Sequence, residues 1–366
     1  MSPGTLPKVM HINFYSCVRD NPDGSSDKVQ ISFARGLRHW HPILAGKGNT
    51  TEYHTYHGLS CYAFAEKRLK NRVFNKWFGL GVFTFSSVIN LIERERPAIL
   101  HFHFRHELID HVVHRLSYRP KVVVHYHRRY KKLIVPDCAD VLIAVSNNIR
   151  DHIRAENRTQ APVRVICNPL PEEIMPHSGK PATPRQKPVL LFGGGRFEHK
   201  GFFDLMKAVE TLPPDTFELL LCGHEFADYV PTRPEVKVLG FQATDRFIEL
   251  MLNCDVVVVP SHHESFGLLA LEAMYCHRLV IATKNTGLET FCDHRNSILV
   301  EPAHPASLAA GIKRALTICR DQPAVYLEKT TCAFQTSQRF TSTRLAGELE
   351  SVYDELVNGA KPAPLW

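Results

Sequence analysis

The chain has 366 residues, which at roughly 100–200 residues per domain is the length of two ordinary domains. Hydrophobic residues make up 44% and charged residues 22%, and this composition excludes the disordered and fibrous classes. The ten cysteines include no C-x-x-C pair, which argues against a zinc knuckle and a disulfide scaffold. Basic residues outnumber acidic ones by 26 to 15 in residues 1–180, whereas acidic residues lead by 22 to 18 in residues 181–366. The basic half predicts an acidic partner.

The apolar pattern bears on membrane insertion and on location. The longest uncharged apolar run, residues 77–92, has 16 residues, fewer than the ~20 that a spanning helix needs. Lys8 is followed by an alternating apolar strand rather than by the apolar run of a signal peptide. We therefore expect a cytoplasmic protein.

In chain order, the first half alternates short apolar runs with longer amphipathic stretches, the pattern of strands and crossover helices in a parallel sheet. The predicted strands are Val9–Phe14, Ile99–Phe102, Val122–His125, Val141–Val145 and Val163–Ile166. The predicted helices are 27–38, 67–93, 105–116 and 147–156. The first half is therefore predicted to be a doubly wound α/β domain.

A proline-rich segment separates the two halves. Residues 169–188 contain six prolines, which disfavour a helix or a central strand, so residues 171–187 are predicted to be a linker. The strands predicted beyond it are Val189–Phe192, Glu218–Cys222, Val236–Leu239, Asp255–Val259, Leu279–Ala282 and Ile298–Val300. The predicted helices are 202–211, 243–252, 267–276, 305–318 and 341–357. This alternation predicts a second doubly wound domain.

The most informative segment is a glycine turn at residues 193–195. It joins the apolar run 189–192 to Arg196 and Lys200, which precede a helix. Such a turn lets backbone amides approach a ligand, and two cations at a helix start suit a diphosphate. The alternative is a flexible loop with solvated cations. The segment contains neither a G-x-G-x-x-G fingerprint nor a Walker motif.

Two glutamates follow the uncharged strand 255–259. Glu264 lies in the loop at the carboxyl end of that strand, where open parallel sheets bind ligands. Gly267 begins a helix whose free amides favour an anion. Glu272 lies among apolar residues of this helix, so it either faces solvent or accepts hydrogen bonds from a pair of ligand hydroxyls, such as those of a ribose.

These residues resemble a known family. Arg196 and Lys200 after a glycine turn, with Glu264-x7-Glu272 about sixty residues later, resemble the retaining glycosyltransferases of family 4, which have the GT-B fold. Three segments of the first half are also similar to the family's patterns: P-A-I-L-H-F-H at 97–103, V-V-V-H-Y-H at 122–127 and A-D-V-L-I-A-V-S at 139–146. The resemblance spans roughly residues 8–357.

The resemblance implies a particular domain arrangement. Two Rossmann-like doubly wound parallel-sheet domains would face a central cleft, with residues 1–170 binding the acceptor and residues 188–340 binding the nucleotide sugar. Residues 341–366 are expected to form a C-terminal helix that crosses back towards the N-terminal domain.

The resemblance also implies roles for single residues. Arg196 and Lys200 would hold the nucleotide diphosphate, Glu272 would bind the ribose, and Glu264 would contact the transferred sugar. His127 corresponds to a histidine near the sugar and the acceptor, although a histidine at a strand end is as often structural. The expected catalytic residues are Glu264, His127, Arg196 and Lys200. The expected donor-binding residues are Arg196, Lys200, Gly24, Gly267, Leu268 and Glu272.

Two histidine pairs raise the question of a metal. His101 and His103 are two residues apart, as are His125 and His127, so each pair points to one face of a strand. No Cys, Asp or Glu at a suitable spacing completes a ligand set, and we therefore expect no metal site.

Two basic stretches account for the charge of the first half. Residues 67–78 interleave cations with aromatic residues, as an interfacial helix does, and residues 128–132 form a shorter basic cluster. The alternative for residues 67–78 is a solvated face over core aromatics. No nucleic-acid motif is present, so we expect no nucleic-acid partner.

The sequence therefore predicts a metal-independent hexosyltransferase without a cofactor, which moves a sugar from a nucleotide-diphosphate sugar to a glycan or lipid-linked acceptor with retention. The expected setting is bacterial surface polysaccharide or lipopolysaccharide assembly, in the cytoplasm or peripherally at an anionic inner membrane face. One alternative is a nucleotide-sugar epimerase of the same fold. The other is a non-catalytic transferase-like module that binds a membrane or a partner.

Overall fold

The computed structural model describes residues 6–14, 16, 25–48, 52–65, 84–156, 159–178, 181 and 183–359. The chain divides into two compact units. The first unit comprises Met1–Pro169 and Ser342–Trp366, and the second comprises Leu170–Thr341. None of the helices in the described part of the chain combines the length and apolar composition that a bilayer crossing requires.

The first unit contains an eight-stranded sheet. Its strands are β1 (Lys8–Asn13), β2 (His41–Gly48), β3 (Glu52–Tyr56), β4 (Leu59–Ala65), β5 (Ile99–Phe102), β6 (Lys121–Tyr126), β7 (Val141–Ala144) and β8 (Val163–Val165). They lie in the order β3-β4-β2-β1-β5-β6-β7-β8. Neighbouring strands are parallel except for β3 and β4. The prediction of a parallel-sheet α/β domain is confirmed.

Among the described residues, the helices of the first unit that precede the second unit are α1 (Ser25–Gly36), α2 (Thr84–Glu95), α3 (Ile109–Val113) and α4 (Asn147–Ala155). The predicted helix 67–93 agrees with α2 over its last turns, and its residues 67–83 lie outside the described residues. The predicted helix 105–116 is instead a 3-10 turn, His106–Leu108, followed by the five-residue α3.

Strands β2, β3 and β4 were not predicted. Strand β2 carries Pro42, Gly46 and Gly48, residues that usually interrupt a strand. Strand β3 lies at the sheet edge and is half-buried or exposed at every residue, so it lacks the apolar alternation that identifies a strand. Strand β4 is apolar, but it becomes a strand through its pairing with β2.

The second unit contains a six-stranded parallel sheet. Its strands are β9 (Val189–Phe192), β10 (Glu218–Cys222), β11 (Val236–Gly240), β12 (Val256–Val259), β13 (Leu279–Thr283) and β14 (Ser297–Val300). Its helices are α5 (Phe202–Glu210), α6 (Thr244–Leu252), α7 (Leu268–Tyr275), α8 (Pro305–Asp321) and α9 (Pro323–Ser337). The strand order β11-β10-β9-β12-β13-β14 is that of the Rossmann fold, in agreement with the predicted fold class.

Two elements of the second unit differ from the prediction. Helix α9 was not predicted, because the polar residues Thr330 and Ser337 belong to its buried stripe together with Tyr326 and Ala333. The sequence therefore lacks a clear apolar period there. Part of the predicted linker 171–187 is a 3-10 helix, Glu172–His177, within the second unit. The Tyr275 hydroxyl donates to the Met175 carbonyl at 2.9 Å and attaches this segment to α7.

The last helix, α10 (Ser342–Asn358), belongs to the first unit. One carboxylate oxygen of Glu350 accepts hydrogen bonds from the amides of Arg38 and His39, at 2.7 and 2.6 Å. A Cβ at Gly36 would lie 2.5 Å from the Ser342 carbonyl oxygen. The end of α1 and the start of α10 are therefore in backbone contact, which only glycine permits at residue 36.

Candidate active site

The candidate site in the second unit lies where the strand order reverses. Strands β9 and β12 are neighbours there, although they are far apart in the chain. The loops that follow them leave the sheet side by side, and such a reversal point is where doubly wound sheets bind ligands. The glycine turn and Lys200 lie in the loop after β9, and Glu264 lies in the loop after β12.

Glycine allows these two loops to touch. Gly201 has a φ of 73°, and a Cβ there would lie 2.1 Å from the Pro260 carbonyl oxygen. The His262 amide donates to the His199 carbonyl at 3.0 Å, and His262 Nε2 lies 2.5 Å from an oxygen of Asp204. These contacts fix the position of one loop against the other.

The contact between the loops brings two predicted residues together. Lys200 Nζ lies 3.0 Å from Glu264 Oε2, and the two side chains are 34% and 17% exposed. The Ser261 hydroxyl lies 3.4 Å from the same glutamate oxygen. An ammonium has three donors, so Lys200 can bind an anion while it remains near Glu264.

Gly267 precedes α7 in a left-handed conformation, with a φ of 95°. A Cβ there would lie 2.2 Å from a methyl carbon of Leu288 and 3.3 Å from Glu264 Cγ. The Gly287 amide donates to the Glu264 carbonyl at 2.7 Å. The start of α7, at Leu268, is therefore next to the loop that carries Glu264, and amides of a first helical turn attract anions.

Arg196 contacts the aromatic ring of Tyr229. Its guanidinium carbon lies 5.3 Å from the centroid of the Tyr229 ring, a distance typical of a cation–π contact. Arg196 and Tyr229 help to line a groove along α5, together with Phe203 and Met206. Burial raises the pKa of Tyr229, and the nearby Arg196 opposes this rise.

The remaining donor-binding predictions are less constrained by the structure. Glu272 is half-buried on α7, between the buried residues Leu271 and Ala273. Leu268 is also half-buried. Gly24 lies outside the described residues.

His127 belongs to the first unit, where it directly follows β6. Its Nε2 is 2.9 Å from Nδ1 of the buried His103. Burial, followed by the nearby His106, lowers the pKa of His127 to about 3, while a hydrogen bond with Asn168 opposes the change. Burial likewise lowers the pKa of His103 well below its usual range. His127 is therefore a neutral imidazole at neutral pH, able to donate or accept one hydrogen bond at each nitrogen.

The sequence analysis did not include two residues that contact this group. His11 is fully buried in β1, and its Nδ1 lies 3.0 Å from His103 Nε2; a single histidine within an apolar strand was the available signal. The hydroxyl of Tyr353 lies 2.6 Å from His101 Nδ1. No local pattern indicates this contact, because it joins α10 to β5 across 252 residues.

Comparison with known families extends over most of the chain. Residues 37–173 match the model of Glycosyltransferase Family 4, and residues 175–325 match that of Glycosyl transferases group 1. D-inositol 3-phosphate glycosyltransferase of Geodermatophilus obscurus is 34% identical over 159 residues, which are 42% of this chain and 34% of that protein. The chain spans between about a quarter and three fifths of the length of the curated relatives that it matches.

Solved structures give the same fold over nearly the whole chain. Sucrose-phosphate synthase of Thermosynechococcus elongatus has a TM-score of 0.74 at 18% identity, covering 97% of this chain and 100% of that chain. HepE of Anabaena, solved in complex with UDP and glucose, has a TM-score of 0.71 at 18% identity, covering 96% of this chain and 100% of that chain. The two family models together span most of the chain, which therefore belongs to the family 4 glycosyltransferases, and its fold is GT-B.

Proposed function

We propose that this glycosyltransferase moves a hexosyl group from a nucleotide-diphosphate sugar to a glycan or lipid-linked acceptor, with retention of the anomeric configuration. The observation that carries the proposal is the 3.0 Å pair of Lys200 and Glu264 at the reversal point of a Rossmann sheet. The ammonium suits the diphosphate, and the carboxylate can accept hydrogen bonds from sugar hydroxyls. The UDP and glucose bound by HepE support a donor of this class.

The proposed reaction exchanges one bond at the anomeric carbon for another. The bond to the diphosphate oxygen breaks, and a bond to the acceptor oxygen forms on the same face of the sugar. The charge that develops on the diphosphate is stabilised by Lys200, by Arg196 and by the first amides of α7, at Gly267 and Leu268. The departing phosphate accepts the proton of the acceptor hydroxyl, so no separate general base is required.

We propose that Arg196 exchanges its contact with the Tyr229 ring for the diphosphate when the donor binds. A cation–π contact of an exposed cation contributes about 0.5–1 kcal/mol, whereas hydrogen bonds to a charged group contribute about 1.5–3 kcal/mol. The diphosphate therefore competes successfully for the guanidinium. With two cations neutralising the leaving group, we propose that transfer needs neither a divalent metal nor a cofactor.

The two glutamates and His127 are each assigned to a different part of the substrates. Glu272 binds the ribose hydroxyls of the donor, and Glu264 contacts the transferred sugar. His127, as a neutral imidazole, hydrogen-bonds to the sugar or to the acceptor hydroxyl. Gly24, which lies outside the described residues, is assigned to the donor phosphate in this proposal.

The acceptor proposal rests on charge. Residues 1–180 carry a net charge of +11, which favours an anionic acceptor or surface. We propose an acceptor of bacterial surface polysaccharide or lipopolysaccharide assembly, used in the cytoplasm or at the inner face of the membrane. The basic stretch 67–78 lies outside the described residues, and in residues 128–132 the Arg128 guanidinium lies 5.0 Å from the centroid of the Tyr130 ring.

Vesicle binding tests the membrane part of this proposal. Because each cation near an anionic surface contributes about 1 kcal/mol, the protein should co-sediment with phosphatidylglycerol vesicles at low salt. Binding should fall with salt and with the combined Lys67→Glu, Arg68→Glu and Lys70→Glu substitutions. Phosphatidylcholine vesicles are the control. Absence of binding at low salt would contradict the membrane proposal and would leave a water-soluble anionic acceptor.

A screen of nucleotide sugars tests the activity itself. The protein is incubated with each donor, with and without glycan or lipid-linked acceptors, and mass spectrometry follows transfer while NMR gives the anomeric configuration of the product. Transfer with retention supports the proposal. Interconversion of the donor sugar without an acceptor would instead identify an epimerase, and donor binding without turnover would identify a non-catalytic module.

A further inference from the structure

Five histidines lie together at the carboxyl edge of the first unit's sheet. His11, His101 and His125 lie on the adjacent strands β1, β5 and β6, and His11 pairs with His101 in the strand register. His103 and His127 each lie two residues further along the chain, directly after β5 and β6, a spacing that keeps a side chain on the same face. The rings of neighbouring members lie 4.1–5.5 Å apart, centroid to centroid. We call this group the histidine cluster.

Hydrogen bonds organise the cluster into two short chains. In one chain, His103 uses both ring nitrogens: Nε2 lies 3.0 Å from His11 Nδ1, and Nδ1 lies 2.9 Å from His127 Nε2. In the other chain, the Tyr353 hydroxyl, His101 and His125 Nδ1 are linked, with 3.2 Å between the two histidines. The first chain thus holds His127 through His103, and the second holds His125 through His101.

One nitrogen near the outer end of the cluster is unused. His125 Nε2 is buried and has no hydrogen-bond partner among the residues that the structure describes. A buried polar atom without a partner is unfavourable, so its retention needs a reason. A ligand that accepts a lone pair would supply one, and a neutral imidazole is the commonest metal ligand in proteins.

We propose that His103, His125 and His127 bind one transition-metal ion of the Zn²⁺ class. One ring nitrogen of each of the three residues lies within 4.8 Å of the others. The two nitrogens of His103 and His127 that share a proton are 2.9 Å apart, so an ion that replaces this proton would have both within reach as ligands. The unused Nε2 of His125 supplies the third ligand atom.

The ion requires a limited rearrangement. Zinc–imidazole bonds are about 2.0–2.1 Å long, so the more distant nitrogens must approach each other by about an ångström. The rings of His125 and His127, now stacked at 4.1 Å and 23°, must tilt apart. His11 and His101 remain behind the ligands and orient them, as outer hydrogen-bond partners do in metal sites.

The outer triad is favoured over the inner one because it is accessible. His11, His101 and His103 also bring three nitrogens within 4.8 Å, and Nε2 of His11 is likewise buried without a partner among the described residues, but all three side chains are fully buried. His127 is partly exposed and offers an entry route and a free coordination position for water. Three imidazoles select Zn²⁺, Ni²⁺ or Cu²⁺ over Mg²⁺ and Ca²⁺, which prefer oxygen ligands.

Binding is tested without reference to enzyme activity. The full chain is stripped of metal and titrated with ZnCl₂ by calorimetry, and with CoCl₂ while the visible absorption of four-coordinate cobalt is recorded. We expect one tight ion per chain. His103→Asn, His125→Asn and His127→Asn should each weaken binding at least about 10-fold, the lower end of the range for changes in the outer hydrogen-bond shell. His11→Asn should weaken it less.

The matched control is His114→Asn, which removes an exposed histidine of the same unit and should leave affinity unchanged. Zinc bound with equal affinity by the native protein, His103→Asn and His127→Asn would place the ion on surface histidines and overturn the proposal, as would the absence of a tight site. Because His125 is fully buried, its variant is checked by circular dichroism, and the partly exposed His127 decides the question if that variant misfolds.

The site shares His127 with the proposed transfer chemistry, but the two proposals can fail independently. Coordination would occupy His127 Nε2 and prevent it from binding a sugar or an acceptor. Zinc should therefore slow transfer at concentrations that fill the site. Zinc binding without inhibition would reject the role of His127 in transfer and would leave the metal site intact.

Discussion

The carboxyl edge of the second unit's sheet carries charge, whereas the corresponding edge of the first unit's sheet carries neutral rings. In the second unit, Lys200 and Glu264 face each other across loops that Gly201 brings into contact. In the first unit, the histidine cluster lies at the carboxyl edge of the sheet. Burial lowers the pKa of His127, its partly exposed member, to about 3. Both edges belong to doubly wound sheets.

The difference shows that architecture provides the location of a site and side chains provide its chemistry. A fixed ion pair suits a ligand whose charge changes during the reaction, because preorganised charges stabilise the product side without rearrangement. Neutral imidazoles suit a hydroxyl or a metal ion, which need lone pairs or single protons. The two edges therefore favour different parts of a transfer reaction.

The largest expected effect comes from removing the charge at the second edge. Lys200→Ala should lower turnover about 100-fold or more, the scale of losing one transition-state charge donor. Lys207→Ala, which removes an exposed lysine of α5, is the matched control and should be neutral. Steady-state kinetics with circular dichroism distinguish lost catalysis from lost folding. Unchanged turnover in a folded Lys200→Ala protein would reject the diphosphate role.

The contact between the loops can be broken without touching a charge. Gly201→Ala places a Cβ 2.1 Å from a backbone oxygen at a φ of 73°, and we expect a loss of about 2–4 kcal/mol from left-handed strain and overpacking together. Gly240→Ala has a similar φ of 68° but nothing within 4 Å, so it should lose only the strain, about 1–2 kcal/mol. Urea unfolding of both variants measures the difference. Equal losses would mean that the loop contact contributes nothing.

The two glutamates should separate donor binding from turnover. Glu272→Ala should weaken the free nucleotide diphosphate about 10-fold, the loss of roughly one charged hydrogen bond, because it is assigned to the ribose. Glu264→Ala should reduce turnover more than it reduces nucleotide affinity. Calorimetry with nucleotide and with nucleotide sugar, alongside kinetics, gives both quantities. If each variant affects both ligands equally, the assigned roles are wrong.

The smallest expected effect is that of a chelator. If Lys200 and Arg196 neutralise the leaving diphosphate, transfer should persist in excess EDTA, and an ion at the histidine cluster should not be required either. Rates are measured after dialysis against EDTA and again after adding Mg²⁺, Mn²⁺ or Zn²⁺. Complete loss of activity that Mg²⁺ or Mn²⁺ restores would refute metal independence.

Local pattern predicted the second unit better than the first. All six strands of the second sheet were predicted, since buried parallel strands are short apolar runs flanked by loops. Strand β3 of the first unit was missed because an edge strand that is mostly solvated has no such pattern. Helix α9 was missed because its buried stripe includes polar residues that packing tolerates.

The proximity of Lys200 and Glu264 could be anticipated from the sequence, because each residue follows a strand whose carboxyl end lies at the same edge of a parallel sheet. Their roles in transfer stay predictions. The cation–π contact of Arg196 with Tyr229 depends on a loop between β10 and β11 that has no ligand-binding pattern. The histidine cluster includes His11 of β1 as well as the two histidine pairs, and Tyr353 of α10 contacts it. Sequence spacing could not reveal the cluster, because it depends on the order of the strands in the sheet.

Helix α10 has a consequence for how the chain is synthesised. The first unit is discontinuous in the chain, with the whole second unit inserted between Pro169 and Ser342. On the ribosome, residues 1–169 emerge without the helix that caps the amides of Arg38 and His39 through Glu350, while the second unit emerges as one uninterrupted segment. The second unit can therefore complete its core first, and the first unit stays unfinished until residues 342–358 have also emerged. A premature stop after residue 341 would leave an intact second unit attached to an incompletely folded first one.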